Sequence, residues 1–72
     1  MTVIVNGNHT EIGEGWDITN LIASLNVHPQ RVAVELNGRI IRRAVWDSTT
    51  ISEGDKVEIV HFVGGGEAMR DA

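Results

Sequence analysis

Two Asn-Gly pairs bracket a single amphipathic stripe, and that arrangement restricts the chain to few folds. Asn6-Gly7 closes the β-branched run Thr2-Val3-Ile4-Val5, and Asn37-Gly38 closes Arg31-Val32-Ala33-Val34-Glu35-Leu36. Asn-Gly supplies the positive φ angles that a two-residue type I′ turn demands at both central positions, so each pair predicts a β-hairpin. The returning strands are His9 to Ile12 and the short Arg39-Ile40-Ile41. Between the hairpins, Ile18, Leu21, Ile22 and Leu25 fall at i, i+3, i+4 and i+7, one apolar face of an α-helix. Gly13-Glu14-Gly15-Trp16 reads as the loop before it. Asp17 stands at the N-cap, where its carboxylate accepts from free amides of the first turn. The helix is expected to end near Asn26, before Pro29.

The second hairpin turns Val32, Val34 and Leu36 to the core and Ala33 and Glu35 outward. Arg42 to Thr50 has no clear period and reads as an irregular crossover with Trp46 as an anchor, followed by a turn at Ser52-Glu53-Gly54-Asp55. Lys56 to Val63 is the last strand, with Val57 and Ile59 on one face and Glu58, Val60 and Phe62 on the other. The predicted class is α+β, a mixed sheet of four to five strands with one main helix packed on one face to bury its stripe. This order resembles the ubiquitin-like β-grasp. The resemblance implies that the first and last strands lie side by side at the centre of the sheet.

At 72 residues the chain builds one small core. Residues 1–63 form the expected β-grasp domain and 64–72 a flexible glycine tail with a C-terminal extension. The absence of cysteine excludes a disulfide staple, a thiolate nucleophile and a cysteine metal cage. No basic leader or long apolar run is present, so no membrane contact is expected and a cytoplasmic location is the reading. A formal charge of −4 opposes sequence-independent nucleic-acid binding, which needs clustered Lys and Arg. Proteins are the expected partners.

The last strand runs without a turn into Gly64-Gly65-Gly66, and Glu67-Ala68-Met69-Arg70-Asp71-Ala72 follows. Three adjacent glycines stiffen neither strand nor helix. They suit a thin spacer of about 10 Å when extended, with no Cβ to obstruct a narrow channel.

The opening Val-Asn-Gly hairpin, Ile18 to Leu25, Val34-Glu35-Leu36-Asn37-Gly38, Trp46 and above all the run from Glu53 to Gly66, with its Glu53-Gly54-Asp55 turn and Glu58 to Gly66, resemble the ThiS family, sulfur carriers of thiamine biosynthesis. The resemblance covers Met1 to Gly66. It implies that the carboxylate of Gly66, with Gly65 completing the diglycine and Gly64 lengthening the spacer, is adenylated by an E1-like, ThiF-like adenylyltransferase. The resemblance further implies that a sulfur nucleophile converts the resulting mixed anhydride to a thiocarboxylate, which is presented to a ThiG-like thiazole synthase. ATP is used by the activating partner, and the chain itself binds no cofactor. This sequence departs from the pattern at its end, because the Gly66 carbonyl is an amide followed by six residues. Either a processing peptidase removes residues 67–72, a polar segment of the kind easily cut, or the chain does not act as a carrier. A MoaD-like carrier for another pathway and a ubiquitin-like binding module that never forms a thiocarboxylate are the competing functions.

Val60, Phe62 and Ile4 face away from the expected core just before the tail, and read as a docking patch for a partner. His9, His28 and His61 lie on a hairpin, a loop and a strand without metal-ligand spacing, so solvated histidines describe them best. Arg39, Arg42 and Arg43 flank Ile40-Ile41 as charges protecting an edge strand. There is no Ser/His/Asp or Cys/His set and no phosphate-cradling motif opening a helix.

Overall fold

The computed structural model describes residues 1–62. Five strands, β1 (Thr2–Val5), β2 (Asn8–Glu11), β3 (Val32–Leu36), β4 (Arg39–Ile41) and β5 (Lys56–His61), form one sheet in the order β2-β1-β5-β3-β4. Neighbours are antiparallel except β1 and β5, which run parallel. Helix α1 (Ile18–Ser24) is joined to β3 through a 3₁₀ turn at Pro29–Arg31, and a second 3₁₀ segment, Arg43–Ser48, leads towards β5. This is the ubiquitin-like β-grasp, with the first and last strands adjacent.

Both hairpins have the backbone that their sequences demand. Asn6 and Gly7 take φ 48° and 82°, and Asn37 and Gly38 take 52° and 86°, the left-handed pairs of type I′ turns. Alternation along the strands sends Val3, Val5, Val32, Val34, Val57 and Ile59 to one face, where Ile18, Leu21 and Ile22 of α1 close over them. Burying each of these aliphatic side chains stabilises the fold by about 1.5–3 kcal/mol. Leu25 and Leu36 are partly buried against the same core. A helix of seven residues is too short to persist alone. Its contact with the sheet and its cap hold it.

That cap is reciprocal. Asn20 N–H donates to the Asp17 carboxylate at 2.8 Å, and Asp17 N–H donates to the Asn20 side-chain oxygen at 3.0 Å. Both are amides that the helix cannot satisfy itself, and such a cap contributes about 1 kcal/mol. The far end stops at Ser24 with Leu25 as C-cap, slightly short of the expected limit, and Asn26 takes φ 58° as the left-handed residue that turns the chain out.

Element limits shift elsewhere. β2 covers Asn8–Glu11 rather than His9 to Ile12, and Ile12 passes beyond it into the core. β3 starts at Val32, because Arg31 belongs to the 3₁₀ turn that Pro29 opens. β5 spans Lys56–His61, while the expected end at Val63 lies outside the described residues. The crossover expected to be irregular is largely 3₁₀. Trp46 anchors it, 4% exposed, its indole N–H donating to the Ile41 carbonyl at 2.8 Å.

Gly13 is required by a close approach. A Cβ built there falls on the indole of Trp16, whose ring packs against the core. Gly13→Ala is therefore expected to lower unfolding free energy by about 1–3 kcal/mol, the range for overpacking a fitted site; urea denaturation measures it. Gly15→Ala would be strained instead by its φ of 78°, with no neighbour in the way.

At the opposite edge, Glu11 accepts from the Thr2 hydroxyl and from the Met1 ammonium, the latter at 3.2 Å. The hydroxyl bond first, and the ammonium second, hold its carboxyl below the usual glutamate value. A depressed folded-state pKa gives stability that is present above the unfolded value and is lost as pH falls through the folded one. On acidification from about pH 6 to about pH 3, Glu11→Gln should lose slightly less melting temperature than the parent chain. Thermal unfolding followed by circular dichroism reads the difference.

Candidate functional site

The strand that leads to the glycines lies in the middle of the sheet but is not supported equally on its two sides. Towards β3 the pairing is continuous, from Leu36 opposite Val57 to Val32 opposite His61, and Phe62 N–H adds a bond to the Arg31 carbonyl at 2.8 Å. Towards β1 it is short, with Ile4 beside Lys56 and Val5 beside Val57. There β1 turns away at Asn6, whose N–H donates to the Val57 carbonyl at 2.8 Å. The Asn6 carboxamide then bonds both backbone groups of Ile59, accepting from N–H at 2.6 Å and donating to C=O at 3.2 Å. At the base of β5 the second turn asparagine acts from the other side. Asn37 accepts from Lys56 N–H at 2.9 Å, donates its own N–H to the Lys56 carbonyl at 2.7 Å, and bonds the Asp55 carboxylate at 3.0 Å.

Beyond Ile59, β5 therefore projects past β1 and is held by β3 alone. Val60, 51% exposed, and Phe62, partly buried, stand on the face away from α1 at this projecting end, with Ala33 opposite Val60. Ile4 shares that face but not that end. Its register beside Lys56 sets it four residues back along β5 from Val60, roughly 13 Å at about 3.3 Å per residue. The structure thus brings Val60 and Phe62 together and leaves Ile4 apart, next to His9 and Lys56. Val63, Gly64, Gly65, Gly66 and the extension 67–72 lie outside the described residues.

Between these two apolar points the face is acidic. Glu35 is directly opposite Glu58, and with Asn37, Gly38 and Lys56 they line a shallow open concavity. Like charges facing each other across a strand pair are destabilising. Among the described residues the one ion pair is Met1 with Glu11, so neither glutamate has a cation at salt-bridge distance. Beyond them Ile40 of edge strand β4 stands out at 66% exposure, paired with Glu35.

The remaining candidates are dispersed. His9, His28 and His61 are exposed on β2, before the first 3₁₀ turn and at the end of β5. No cluster of three metal-binding side chains exists among the described residues. Arg39 and Arg42 are exposed at and beyond β4, while Arg43 has a structural bond to the Pro29 carbonyl at 3.1 Å. No helix of the described residues is long and apolar enough to cross a membrane. Sequence reasoning missed the side-chain roles of Asn6 and Asn37, because the turns alone account for both residues. It also missed Asn20 in the cap, for which the spacing Asp17-x-x-Asn20 was the available signal.

A chain with this fold and this strand end has known relatives. The ThiS family model matches residues 3–66. A crystal structure of the thiamine biosynthesis protein ThiS from Geobacter metallireducens superposes with a TM-score of 0.81 at 39% identity, over 92% of this chain and all of that one. The sulfur carrier protein ThiS of Bacillus subtilis is 41% identical over 49 residues, 68% of this chain and 74% of that protein. A thiazole synthase from Magnetococcus marinus is 33% identical over 67 residues, 93% of this chain and 21% of that protein. The chain thus spans about a fifth of the length of that relative. A family match that runs through both hairpins, the helix, the projecting strand and all three glycines assigns the chain to the ThiS family.

Proposed function

We propose that this chain is a sulfur carrier of thiamine biosynthesis, a substrate rather than an enzyme, whose reactive group is the carboxylate of Gly66. The observation that carries the reading is the projecting end of β5, which leads within two residues of Phe62 into Gly64-Gly65-Gly66 at the limit of the family match. A reactive group three side-chain-free residues from a folded body enters a site too narrow for the body itself.

The chemistry follows from the carboxylate. An E1-like adenylyltransferase of the ThiF kind joins it to AMP and releases pyrophosphate from ATP. A sulfur nucleophile attacks the mixed anhydride, AMP leaves, and Gly66 ends in –COSH. A thiazole synthase of the ThiG kind takes the sulfur. Support for that partner comes from the relative that is itself named thiazole synthase and contains a segment like this one. The ATP requirement fits a cytoplasmic setting. Gly65 and Gly64 act as the spacer, and Val60 with Phe62 forms the surface that seats the partner beside it. Ile4, at the other end of the sheet, contributes to docking only if the partner spans the acidic strip between. Gly66 is followed in sequence by Glu67, so on this reading a peptidase exposes its carboxylate first.

That same amide at Gly66 favours the second reading, a ubiquitin-like binding module that works through its surface alone. The two part on one experiment. A chain ending at Gly66, mixed with ATP and a ThiF-like adenylyltransferase, is expected to release pyrophosphate and, with a sulfur source, to gain the mass of one oxygen-to-sulfur exchange. The chain of 72 residues should do neither. Silence from both chains leaves only the module.

The docking surface has its own test. Val60→Glu and Phe62→Glu should each weaken binding to the adenylyltransferase about tenfold or more, as loss of an interface anchor does. Val60→Glu should leave stability within about 0.5 kcal/mol, as surface substitutions usually do. Calorimetric titration reads the first, thermal unfolding the second.

A further inference from the structure

The turn asparagine of the first hairpin has two duties, and the turn demands only one of them. A left-handed first position accepts Gly, Asn or Asp equally well. The contact with Ile59 is more selective. It needs a group that donates and accepts at once, and the carboxamide of Asn6 does both across 53 residues of sequence. Gly has neither atom, and Asp would set a second acceptor against the Ile59 carbonyl.

The place of that contact gives it meaning. β1 supplies no residue opposite Ile59, so the Asn6 side chain reproduces the two backbone bonds that a longer β1 would have made. With it, the β1 side of β5 is satisfied up to Ile59. Without it, support on that side ends at Val57, and the segment from Glu58 to Phe62 is held by β3 alone.

We propose that Asn6 is a positioning residue for the reactive terminus: it fixes the segment of β5 to which the glycines are joined in sequence. The proposal rests on the carrier reading given above. Val60 and Phe62, the surface that seats the partner, lie on the same short segment as the base of the tail. Fraying there disperses the docking surface and the origin of the spacer together, and the backbone freedom gained must be lost again on binding. The chemistry at the Gly66 carboxylate is untouched. An interaction of this kind acts equally on the bound ground state and the transition state, so its removal raises KM and spares kcat.

The test compares Asn6→Gly, which keeps the positive φ and deletes the carboxamide, with Asn6→Asp, which keeps the turn and the bond from Ile59 N–H. Hydrogen exchange of the unprocessed chain is followed at the amides of Ile59 and Phe62, with Val3 and Val34 as core references. In Asn6→Gly, Ile59 and Phe62 should exchange about tenfold faster or more, as loss of two hydrogen bonds to a local opening predicts, while the references move less than about twofold. In chains ending at Gly66, apparent KM for the ThiF-like adenylyltransferase in ATP–pyrophosphate exchange should rise about threefold to tenfold at nearly constant kcat. Asn6→Asp should fall between Asn6→Gly and the parent, and carries the comparison should Asn6→Gly fail to fold. Unchanged exchange at Ile59 overturns the clamp. Faster exchange with an unchanged KM, or a fall in kcat alone, overturns the positioning role. A parent chain that is never adenylated overturns the carrier reading and this role with it, while the exchange measurement still reports the clamp.

Discussion

The parallel pairing of β1 with β5 is the contact on which the rest of the structure depends. Two parallel neighbours cannot be joined by a tight turn, so everything from Asn6 to Asp55 is connection between them. That connection contains β2, α1, β3 and β4, and each is placed by its need to cover or extend this central pair. β3 lies along the free side of β5, and α1 closes the face on which Val3, Val5, Val57 and Ile59 converge. The turn before β5 is bonded back to the start of β1, with Gly54 N–H to the Thr2 carbonyl at 2.8 Å and Thr2 N–H to the Glu53 carboxylate at 3.0 Å. A strand at the centre of a sheet is the firmest position available in a domain this small.

What could be read from the sequence was what local chemistry decides. Asn6-Gly7 and Asn37-Gly38 are hairpins because two adjacent residues had to take positive φ. Asp17 caps because an N-terminal amide needs an acceptor within one turn, and Ile18, Leu21, Ile22 and Leu25 share a face because of the helical period. The class of fold followed, as did the separation of Val57 and Ile59 from Val60 and Phe62. The other features depend on which distant segments meet. The Trp16 ring comes to lie against Gly13 only because it packs on a core built from the sheet and helix. Nothing near Ile4 reveals that its neighbour on β5 is Lys56 rather than Val60, since the parallel offset is set by where the crossover delivers β5. Arg31 shows the same limit in miniature: alternation extended β3 one residue too far, and Pro29 bent the backbone first.

The outer face of the sheet has the opposite character to the core. Packing decides almost every inner position, whereas outside Glu35 confronts Glu58 and Ile40 stands in solvent. Opposed carboxylates remain tolerable where water screens them, because exposed charges a few ångströms apart interact weakly in a high dielectric. They also discourage a second sheet from stacking on this side, and the three-residue strand β4, with Arg39 at its start, is a poor template for edge pairing. The face is kept open at both ends and uninviting in its middle.

On the carrier reading proposed above, one strand has to reconcile two opposed demands. The base of the tail must be fixed in the body, or the surface recognised by a partner says nothing about where the reactive carbon is. The strand must also leave the sheet, or the carbon never reaches another protein's site. The fold meets both by ending the two flanks of β5 at different places. β1 stops beside Val57, the Asn6 carboxamide carries its side two residues further, and on the other side β3 gives way to Arg31 of the 3₁₀ turn, whose carbonyl takes the N–H of Phe62. Support is withdrawn in steps, from two strands, to one strand and a side chain, to one strand. A full-length flank on each side would hold the strand more firmly but would carry the sheet edge alongside Phe62, where the proposed partner docks. The staggered ending fixes the body of β5 while leaving its last described residues flanked on one side only.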